Sequence, residues 1–380
     1  MKKLLLVSDC LPSKEHAGGQ RLLDMYHELR RIQPDLYVVL IARDSGFIDF
    51  SLLDEIFDEV HLVSGEKISK KSFLDKIFSL SDFDVIDLCF HGVGSLIAIC
   101  RSRWPCALLI FSPMESQLRS AKILLEKEGL FFLRCWKNIL KSIFLAMQEI
   151  SYVIRVDKVV TVSNSDRDAL AFLKKQDKVF SIPTCIPTYI SSKEISIHEM
   201  HARSVEKKVV FFAYFGSKTN QEALLWFLRK VHPIILEEVP DYKFSVVGNG
   251  LDEDLIDDFG LAQVEFVGSV PSIAEAVDGA LLGISPALSG AGIRGKIHHY
   301  AAFGLPCVAS PIACEGLLYV NGESICIAES AHDFAMSCIN LLKNEEFRLR
   351  VAKNAMHICH SNYQWPAWHD RILSIYELNR

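Results

Sequence analysis

The sequence lacks three features, each of which would define a class of protein. It has 41 lysines and arginines against 47 aspartates and glutamates, a formal net charge of -6. It therefore has no electrostatic footprint for DNA or RNA, and we expect no nucleic-acid partner. Its eleven cysteines lie singly, with no CxxC pair, which excludes zinc knuckles and dithiol redox motifs of that form. No run of about 18 uncharged apolar residues occurs, so we expect no membrane-spanning helix.

The first residues do not follow the pattern of a secretion signal. MKKLLLVSDC has two lysines and an apolar run, but the run ends at Ser8 and Asp9, too early for the apolar core of a signal peptide. An odd number of scattered cysteines is typical of a reducing compartment. We therefore expect a cytoplasmic protein whose first residues form a buried strand.

Continuous apolar runs alternate with segments of helical periodicity along most of the chain. Such runs are typical of strands that are buried on both faces of a parallel sheet. They occupy residues 4–7, 37–42, 84–90, 107–111 and 158–162 and, further along, 209–215, 242–248, 264–268, 279–285 and 305–310. The pattern predicts an α/β protein.

A proline-, serine- and lysine-rich stretch interrupts this alternation at residues 185–207, and it predicts a linker. It divides the chain into residues 1–184 and 208–362, each long enough for one domain. We predict two Rossmann-like domains that face each other across a cleft. Ligands of such sheets bind at the carboxyl ends of the strands, so the cleft is the predicted site.

The segment SGAGIRGKIHHYAAFGLPCVAS joins a predicted strand to a predicted helix. Gly290 and Gly292 allow a ligand to approach backbone N–H groups, and Arg294 and Lys296 place two cations beside the positive end of the helix. This arrangement favours a phosphate site. The same composition fits an ordinary strand-to-helix turn with packed glycines and solvated cations, and composition does not separate the two interpretations.

Three further loops follow predicted strands and carry candidate binding residues. The loop after the first strand contains Gly18 and Gly19, ahead of a helix predicted to begin near Gln20, and offers a second approach for phosphate. The loop VVGNG contains Asn249. The loop ASPIACEGL contains Glu315, whose carboxylate is placed to accept hydrogen bonds from sugar hydroxyls.

In kind and order these motifs resemble those of glycosyltransferase family 4, also called group 1, whose members have the GT-B fold of two Rossmann-like domains. The resemblance rests on the glycine loop after the first strand, GSKTNQEALLWFLRKVHP, VVGNG, VEFVGSV, residues 289–310 and the aromatic C-terminal segment. It implies that the C-terminal domain binds a nucleotide-sugar donor and the N-terminal domain an acceptor. It also implies that residues 363–380 form a helix that packs back on the N-terminal domain.

The resemblance also implies how the donor is held. The implied phosphate ligands are Gly18, Gly19, Lys218, Gly290, Gly292, Arg294 and Lys296, and the implied nucleotide or sugar ligands are Asn249, His299 and Glu315. No metal and no other cofactor is expected, because cationic side chains and helix N-termini neutralise the diphosphate.

The chain departs from the family at the Glu-x7-Glu pair that many members carry, where it has Ala291 and His299. Either His299 replaces the glutamate that holds the donor ribose in relatives, or the nucleotide is held differently. Lys218 is the single cation of GSKTN, so Arg294 and Lys296 are the main candidates for contact with the phosphates. Retention of anomeric configuration is implied by the family alone.

Two residues of the N-terminal domain are candidates for catalysis. His91, in FHGVG at the end of a predicted strand, is placed to act as a general base or to contact the acceptor. A loop histidine in a glycine turn is an equal alternative. Glu115, in SPMES, is the carboxylate best placed to meet an acceptor hydroxyl, and its alternative is an acid that complements a helix N-terminus.

Residues 120–150 form a long segment of helical periodicity that mixes phenylalanine, tryptophan and leucine with lysine and arginine. Such a segment is able to lie at the surface of an anionic membrane, where lipid-linked acceptors would be found. The alternative is a core helix whose apolar stripe packs inside the domain.

The sequence thus predicts a glycosyltransferase that moves a sugar from a nucleotide-sugar to a hydroxyl acceptor. The expected acceptor is a glycolipid or an intermediate of a bacterial surface polysaccharide, and the expected location is the cytoplasm or the inner face of its membrane. Two alternatives remain: a nucleotide-sugar 2-epimerase of the same fold, and an inert sugar- or nucleotide-binding module.

Overall fold

The computed structural model describes residues 1–13, 17–44, 50–63, 70–128, 132–174, 176–186, 199, 202, 206–251, 262–289 and 295–378. The chain divides into two compact units. Unit 1 comprises Met1–Thr184 and Trp368–Arg380, and unit 2 comprises Cys185–Ala367.

Unit 1 contains a parallel sheet of seven strands in the part of the chain that the structure describes, in the order β3-β2-β1-β4-β5-β6-β7. The strands are β1 (Lys3–Ser8), β2 (Tyr37–Arg43), β3 (Glu59–Val63), β4 (Val85–Cys89), β5 (Leu108–Ser112), β6 (Lys158–Thr161) and β7 (Val179–Ser181). The central strands are buried along most of their length, as the continuous apolar runs predicted.

Helices connect the strands of unit 1 and cover the sheet. They are α1 (Ala17–Ile32), α2 (Phe50–Ile56), α3 (Lys70–Ser79), α4 (Ile97–Arg103), α5 (Gln117–Glu128), α6 (Phe132–Arg155) and α7 (Asn164–Ala171). A 3-10 turn, His91–Leu96, lies between β4 and α4. Ser163 caps α7, because its hydroxyl accepts the Asp166 N–H at 3.0 Å.

Unit 2 contains a second parallel sheet, of six strands among the described residues, in the order β10-β9-β8-β11-β12-β13. The strands are β8 (Lys208–Phe212), β9 (Lys243–Val247), β10 (Val264–Gly268), β11 (Ala280–Ser285), β12 (Cys307–Ala309) and β13 (Cys326–Ile327). The helices are α8 (Lys218–Trp226), α9 (His232–Glu238), α10 (Ile273–Val277), α11 (Gly295–Ala302), α12 (Ala331–Lys343) and α13 (Glu345–Asn362), with a π-helical turn, Phe227–Val231, between α8 and α9.

In each sheet the strand order reverses beside the first strand, between β1 and β4 in unit 1 and between β8 and β11 in unit 2. Both orders are those of a Rossmann-like fold, so the two predicted Rossmann-like folds are confirmed. In open α/β sheets ligands bind outside the carboxyl ends of the strands at this reversal. The fold therefore predicts that ligands bind beside the loops after β1, β4, β8 and β11.

The last residues return to unit 1. After a 3-10 turn (Trp365–Trp368), helix α14 (His369–Ile375) leads to Tyr376, whose hydroxyl donates to Asp87 Oδ2 at 2.5 Å. Tyr26 donates to the same oxygen at 2.8 Å and Ser112 to Asp87 Oδ1 at 2.6 Å. Burial raises the pKa of the Asp87 carboxyl, and the hydroxyl donors lower it in part. A buried polar cluster around Asp87 thus fixes the C-terminal segment to unit 1.

Three segments differ from the sequence predictions. Helix α1 begins at Ala17, so Gly18 and Gly19 lie in its first turn rather than in the loop before it. Residues 120–150 contain two helices, α5 and α6, instead of one. Tyr363 belongs to unit 2, where its ring lies 3.8 Å from that of His298, and the chain re-enters unit 1 only at Trp368.

Among the described residues, every helix is too short or too polar to cross a membrane.

Candidate active site

The loops after β8 and β9 meet backbone to backbone at the carboxyl edge of the unit 2 sheet. The Phe215 N–H donates to the Asn249 carbonyl at 2.7 Å. Gly250 has φ +82°, and a Cβ there would clash with Gly216 N at 2.4 Å. Only glycine fits at this position, because it has no Cβ. The Asn249 residue is exposed. The sequence motif VVGNG therefore forms a bare backbone surface beside Asn249, where a ligand can approach the main chain.

Lys296 places a cation beside β8 and the start of α8. It is the second residue of α11 and is half-buried. Its Nζ lies 4.5 Å from the centroid of the Phe211 ring and 3.4 Å from Asn220 Oδ1, in the first turn of α8. The Ser217 side chain accepts no N–H of α8 in the structure. A cation between the starts of two helices makes this corner of unit 2 electropositive.

Lys218 does not contribute to the half-buried corner that contains Lys296. Its side chain is 88% exposed and lies 3.8 Å from the carboxylate of Glu222, one turn along α8. This placement fits the solvated lysine that is usual on a protein surface. Gly290, Gly292 and Arg294 lie outside the described residues.

The two adjacent histidines of α11 have different surroundings. His298 is fully buried, with Nδ1 3.0 Å from the Tyr319 hydroxyl. Burial lowers its pKa to about 3, so it is a neutral packing residue. His299 lies edge-on to the Phe212 ring at 6.0 Å, and its Nδ1 is buried without a hydrogen-bond partner. Burial lowers the pKa of His299 to about 4, so its imidazole is neutral at neutral pH.

Glu315 is exposed after β12, at the end of the 3-10 turn Pro311–Cys314. Ser310 begins that turn, because its hydroxyl accepts the Ala313 N–H at 3.3 Å. Gly316 has φ +78° and turns the chain directly after the carboxylate. The geometry thus presents Glu315 at the carboxyl edge of the sheet, as its strand-end position predicted.

Gly18 and Gly19 lie in the first turn of α1, and Gly19 allows a close approach there. A Cβ on Gly19 would lie 2.7 Å from the Leu11 carbonyl oxygen and 3.1 Å from Ser13 N. The glycine therefore lets the chain after β1 pack directly on the first turn of the helix, which accounts for Gly19 without a ligand.

In unit 1, His91 begins the 3-10 turn after β4, next to the reversal of strand order. Its Nε2 lies 3.2 Å from the Leu145 carbonyl in α6. Because a carbonyl only accepts hydrogen bonds, Nε2 carries the proton and Nδ1 is left unprotonated. Burial lowers the pKa of His91, against smaller raising effects of the Leu145 carbonyl and Asp9. The ring is therefore a neutral base with a fixed tautomer.

Phe90, directly before His91, has φ +73°. Such a backbone conformation is rare for a bulky residue and is found where the surrounding structure enforces it, often at functional sites. This conformation turns the chain between the end of β4 and the 3-10 turn that begins at His91. The positive φ supports a functional site at this strand end.

Asp9 and Arg43 form an ion pair at the same edge, and sequence reasoning missed it. Asp9 follows β1 and Arg43 ends β2, and the Arg43 Nε donates to Asp9 Oδ1 at 3.0 Å. Each is the first charged residue at the end of a buried apolar run. Because the two runs form neighbouring strands, this shared position could have indicated that the two charges meet.

Glu115 is half-buried just before α5, and its Oε1 accepts the Ser120 hydroxyl at 2.7 Å. This contact fits the acid that complements a helix start. A second carboxylate nearby, Glu149 of α6, was not predicted. It is fully buried and accepts from the Ser116 hydroxyl at 2.9 Å and from the Leu118 N–H at 2.8 Å. Burial raises its pKa, and its role is to hold the start of α5 against α6.

Comparison with solved structures identifies the class of this architecture. Sucrose-phosphate synthase from Thermosynechococcus elongatus superposes with a TM-score of 0.76 at 14% identity, over 100% of this chain and 99% of that one. HepE from Anabaena, in complex with UDP-glucose, superposes with a TM-score of 0.72 at 13% identity, over 99% and 100%. Two Rossmann-like folds in one chain with these neighbours constitute the GT-B fold.

Sequence comparison adds a family match and a related protein to this fold assignment. Residues 206–344 match the family model described as glycosyl transferases group 1, the family that the motifs resembled. A protein described as an uncharacterized 44.6 kDa protein in the cps region of Klebsiella pneumoniae is 24% identical over 280 residues, which are 70% of each chain. The predicted resemblance is confirmed, and the chain is a glycosyltransferase.

Proposed function

We propose that this glycosyltransferase moves a sugar from a nucleotide-sugar, held by unit 2, to a hydroxyl acceptor bound by unit 1. The proposal is carried by Lys296, a half-buried cation at the starts of α8 and α11, within the segment that matches the family model. When the bond between sugar and nucleotide breaks, negative charge develops on the departing diphosphate. A fixed cation and open helix N-termini stabilise that charge.

The diphosphate is proposed to need no metal, because Lys296, the helix starts and Arg294 supply the positive charge. Transfer that continues in a chelator such as EDTA agrees with this proposal, and transfer that requires an added divalent cation contradicts it. UDP-sugars are the first donors to test, since HepE was solved with UDP-glucose.

His91 is proposed as the group of unit 1 that receives the acceptor. Its unprotonated Nδ1 is able to accept a hydrogen bond, and then a proton, from an attacking hydroxyl. Asp9 lies near enough to stabilise the imidazolium that would form. Whether the sugar keeps its anomeric configuration is a separate prediction that comes from the family resemblance, and NMR of the product anomeric proton tests it.

The proposed acceptor is a glycan or lipid-linked intermediate of a bacterial surface polysaccharide. Two observations support it: a relative encoded in a cps (capsule) region, and the exposed apolar side chains of α6 next to the His91 turn.

The test is donor turnover by Lys296→Ala beside Lys218→Ala. Nucleoside diphosphate release should fall by about a hundredfold or more in Lys296→Ala, the loss typical of one group that stabilises transition-state charge. Lys218→Ala should keep near-normal turnover because that ammonium is in solvent.

Equal rates in the two variants would contradict the role of Lys296. Conversion of the donor to an epimer without any acceptor would favour the 2-epimerase, and donor binding without turnover would favour the inert module. A thermal-shift screen with nucleotide-sugars finds the donor first, because a ligand of the native state raises the melting temperature.

A further inference from the structure

Helix α6 leaves a stripe of large apolar side chains uncovered. Its members are Trp136, Leu140, Ile143, Phe144, Met147 and Ile154, each between 37% and 63% exposed. Their spacing of three, four and seven residues puts them on one side of the helix. We call this set the α6 stripe. Isolated exposed apolar residues are normal on a protein surface, but a continuous row of six is typical of an interaction surface.

An adjoining side of α6 packs within unit 1. Ile139, Ala146 and Val153 are buried there. The α6 stripe is therefore a second apolar side of the same helix, which nothing in the fold covers among the described residues. It continues into a groove of about 430 Å³ between α5 and α6, lined almost wholly by apolar atoms and including Leu125, Met147 and Ile150.

Among the side chains that the structure describes, the exposed charges that border the α6 stripe are all positive. Lys137, Lys141 and Arg155 are exposed along one flank, and Lys122 of α5 lines the groove. No acidic residue occurs in the sequence from Trp136 to Gln148, and the next acid, Glu149, is buried. An apolar face edged by cations matches an anionic lipid surface, with the apolar side chains in the acyl region and the cations among the headgroups.

A second copy of this chain fits the α6 stripe less well. A two-fold contact brings the same surface of each copy together, so the lysines of the two copies would face one another and repel. The observed charge pattern therefore favours a bilayer over a self-interface.

The same helix also holds the candidate acceptor site. Leu145, whose carbonyl accepts the His91 Nε2 proton at 3.2 Å, lies between Phe144 and Ala146, with its Cα turned away from the α6 stripe. A helix is about 10 Å across with its side chains. A bilayer in contact with the α6 stripe would thus lie roughly one helix width from His91.

We propose that unit 1 docks on an anionic lipid bilayer through the α6 stripe, which brings a lipid-linked acceptor to the His91 turn. The docking surface stands on the exposure, charge and packing of α6. Only the delivery of an acceptor rests on the proposed function.

Vesicle flotation of the full chain tests the docking. The protein should float with vesicles of equal parts phosphatidylcholine and phosphatidylglycerol, and far less with phosphatidylcholine alone. Phe144→Ser combined with Met147→Ser should lower the affinity at least about tenfold, since each change removes an inserted apolar side chain. Lys137→Glu combined with Lys141→Glu should lower it by about fivefold or more per lysine, and rising salt should do the same.

Matched controls keep the experiment specific. Phe172→Ser removes an equally exposed phenylalanine at the end of α7, and Lys353→Glu reverses an exposed lysine of α13. Both should float like the wild type. All of the substituted side chains are exposed, so melting temperatures should stay within the wild-type range.

Three outcomes overturn the proposal: no flotation, equal flotation with neutral and anionic vesicles, or a dimer that the α6 stripe variants convert to monomer without any lipid binding. Donor turnover in vesicle-free buffer is measured in parallel. Flotation without turnover rejects the proposed function and leaves the docking intact, whereas turnover without flotation does the reverse.

Discussion

At the scale of single residues, the protonation of His91 is set by its neighbours rather than by its own chemistry. The Leu145 carbonyl accepts a hydrogen bond from the protonated Nε2, and burial lowers the pKa of His91 from its ordinary value of 6.5. The ring is therefore in its basic form at neutral pH, and a proton acceptor is ready before substrate binds.

Replacement of His91 by glutamine should lower turnover by about 10²- to 10⁴-fold, the usual contribution of a general base, while donor affinity stays unchanged because the proposed donor residues are in unit 2. His61→Gln is the control, since His61 contacts Glu59 at the end of the sheet. Steady-state rates and donor titrations of the two variants measure the difference.

The pH profile of the wild type gives an independent check. Because the pKa of His91 is lowered, protonation removes the base only below 6.5. Turnover should therefore be constant from pH 7 upward and fall as the pH decreases through a value under 6.5, and His91→Gln should lose this acid limb. An unchanged acid limb in the variant would remove His91 from the mechanism.

At the scale of elements, the paired loops after β8 and β9 depend on glycine at two positions. Gly248 has φ +138° and Gly250 has φ +82°, and each comes within van der Waals contact of the loop after β8. A side chain at either position would push the two loops apart and would cover the backbone that a nucleotide is proposed to approach.

Gly250→Ala should destabilise unit 2 by about 1–3 kcal/mol, because alanine is strained at positive φ and its Cβ would lie 2.4 Å from Gly216 N. Gly295→Ala is the matched control. Gly295 starts α11, and among the described residues no neighbouring atom of the rest of the fold lies within 4 Å of an added Cβ; alanine in a helix is favoured by about 0.5–1 kcal/mol. Thermal melts should move in opposite directions, and a Gly250→Ala melt at or above the wild type would contradict this account.

Local sequence patterns predicted most of these elements. The apolar run at 84–90 became β4 (Val85–Cys89), and Gly304 ends α11 with φ +66° as a glycine after a helix should. The α6 stripe is a feature that such patterns do not predict. Helix α6 is apolar on two sides, and periodicity alone cannot tell which side the rest of the fold will cover.

At the scale of the whole molecule, two polar contacts of unit 1 join residues that are remote in sequence. Asp87 and Tyr376 are 289 residues apart, and Asp9 and Arg43 are 34 apart. No local pattern specifies which residue meets which over such separations, so the buried cluster of Asp87 and the Asp9–Arg43 pair were not predicted. The sequence nevertheless indicated the strands to which they belong: Asp87 lies within β4, Asp9 follows β1 and Arg43 ends β2.

Tyr376→Phe should weaken unit 1 by about 1–3 kcal/mol, since it leaves the buried Asp87 carboxylate with one donor fewer. Amides of β4 and α14 should exchange with deuterium faster, and those of unit 2 should not change. Tyr214→Phe is the control because its ring is 57% exposed in unit 2. Uniform protection in Tyr376→Phe would show that Tyr26 and Ser112 suffice for Asp87.

The return of α14 has a topological consequence. Since the chain leaves unit 1 at Thr184 and comes back to it at Trp368, unit 2 is an insertion spliced into the sequence of unit 1. A protease that cuts only one of the two junctions produces two fragments that are held together by the packing of the C-terminal segment on the rest of unit 1, and a gene truncated after residue 184 encodes a first unit without its closing segment. Separate expression of unit 1 therefore calls for fusion of residues 368–380 to residue 184 through a short spacer.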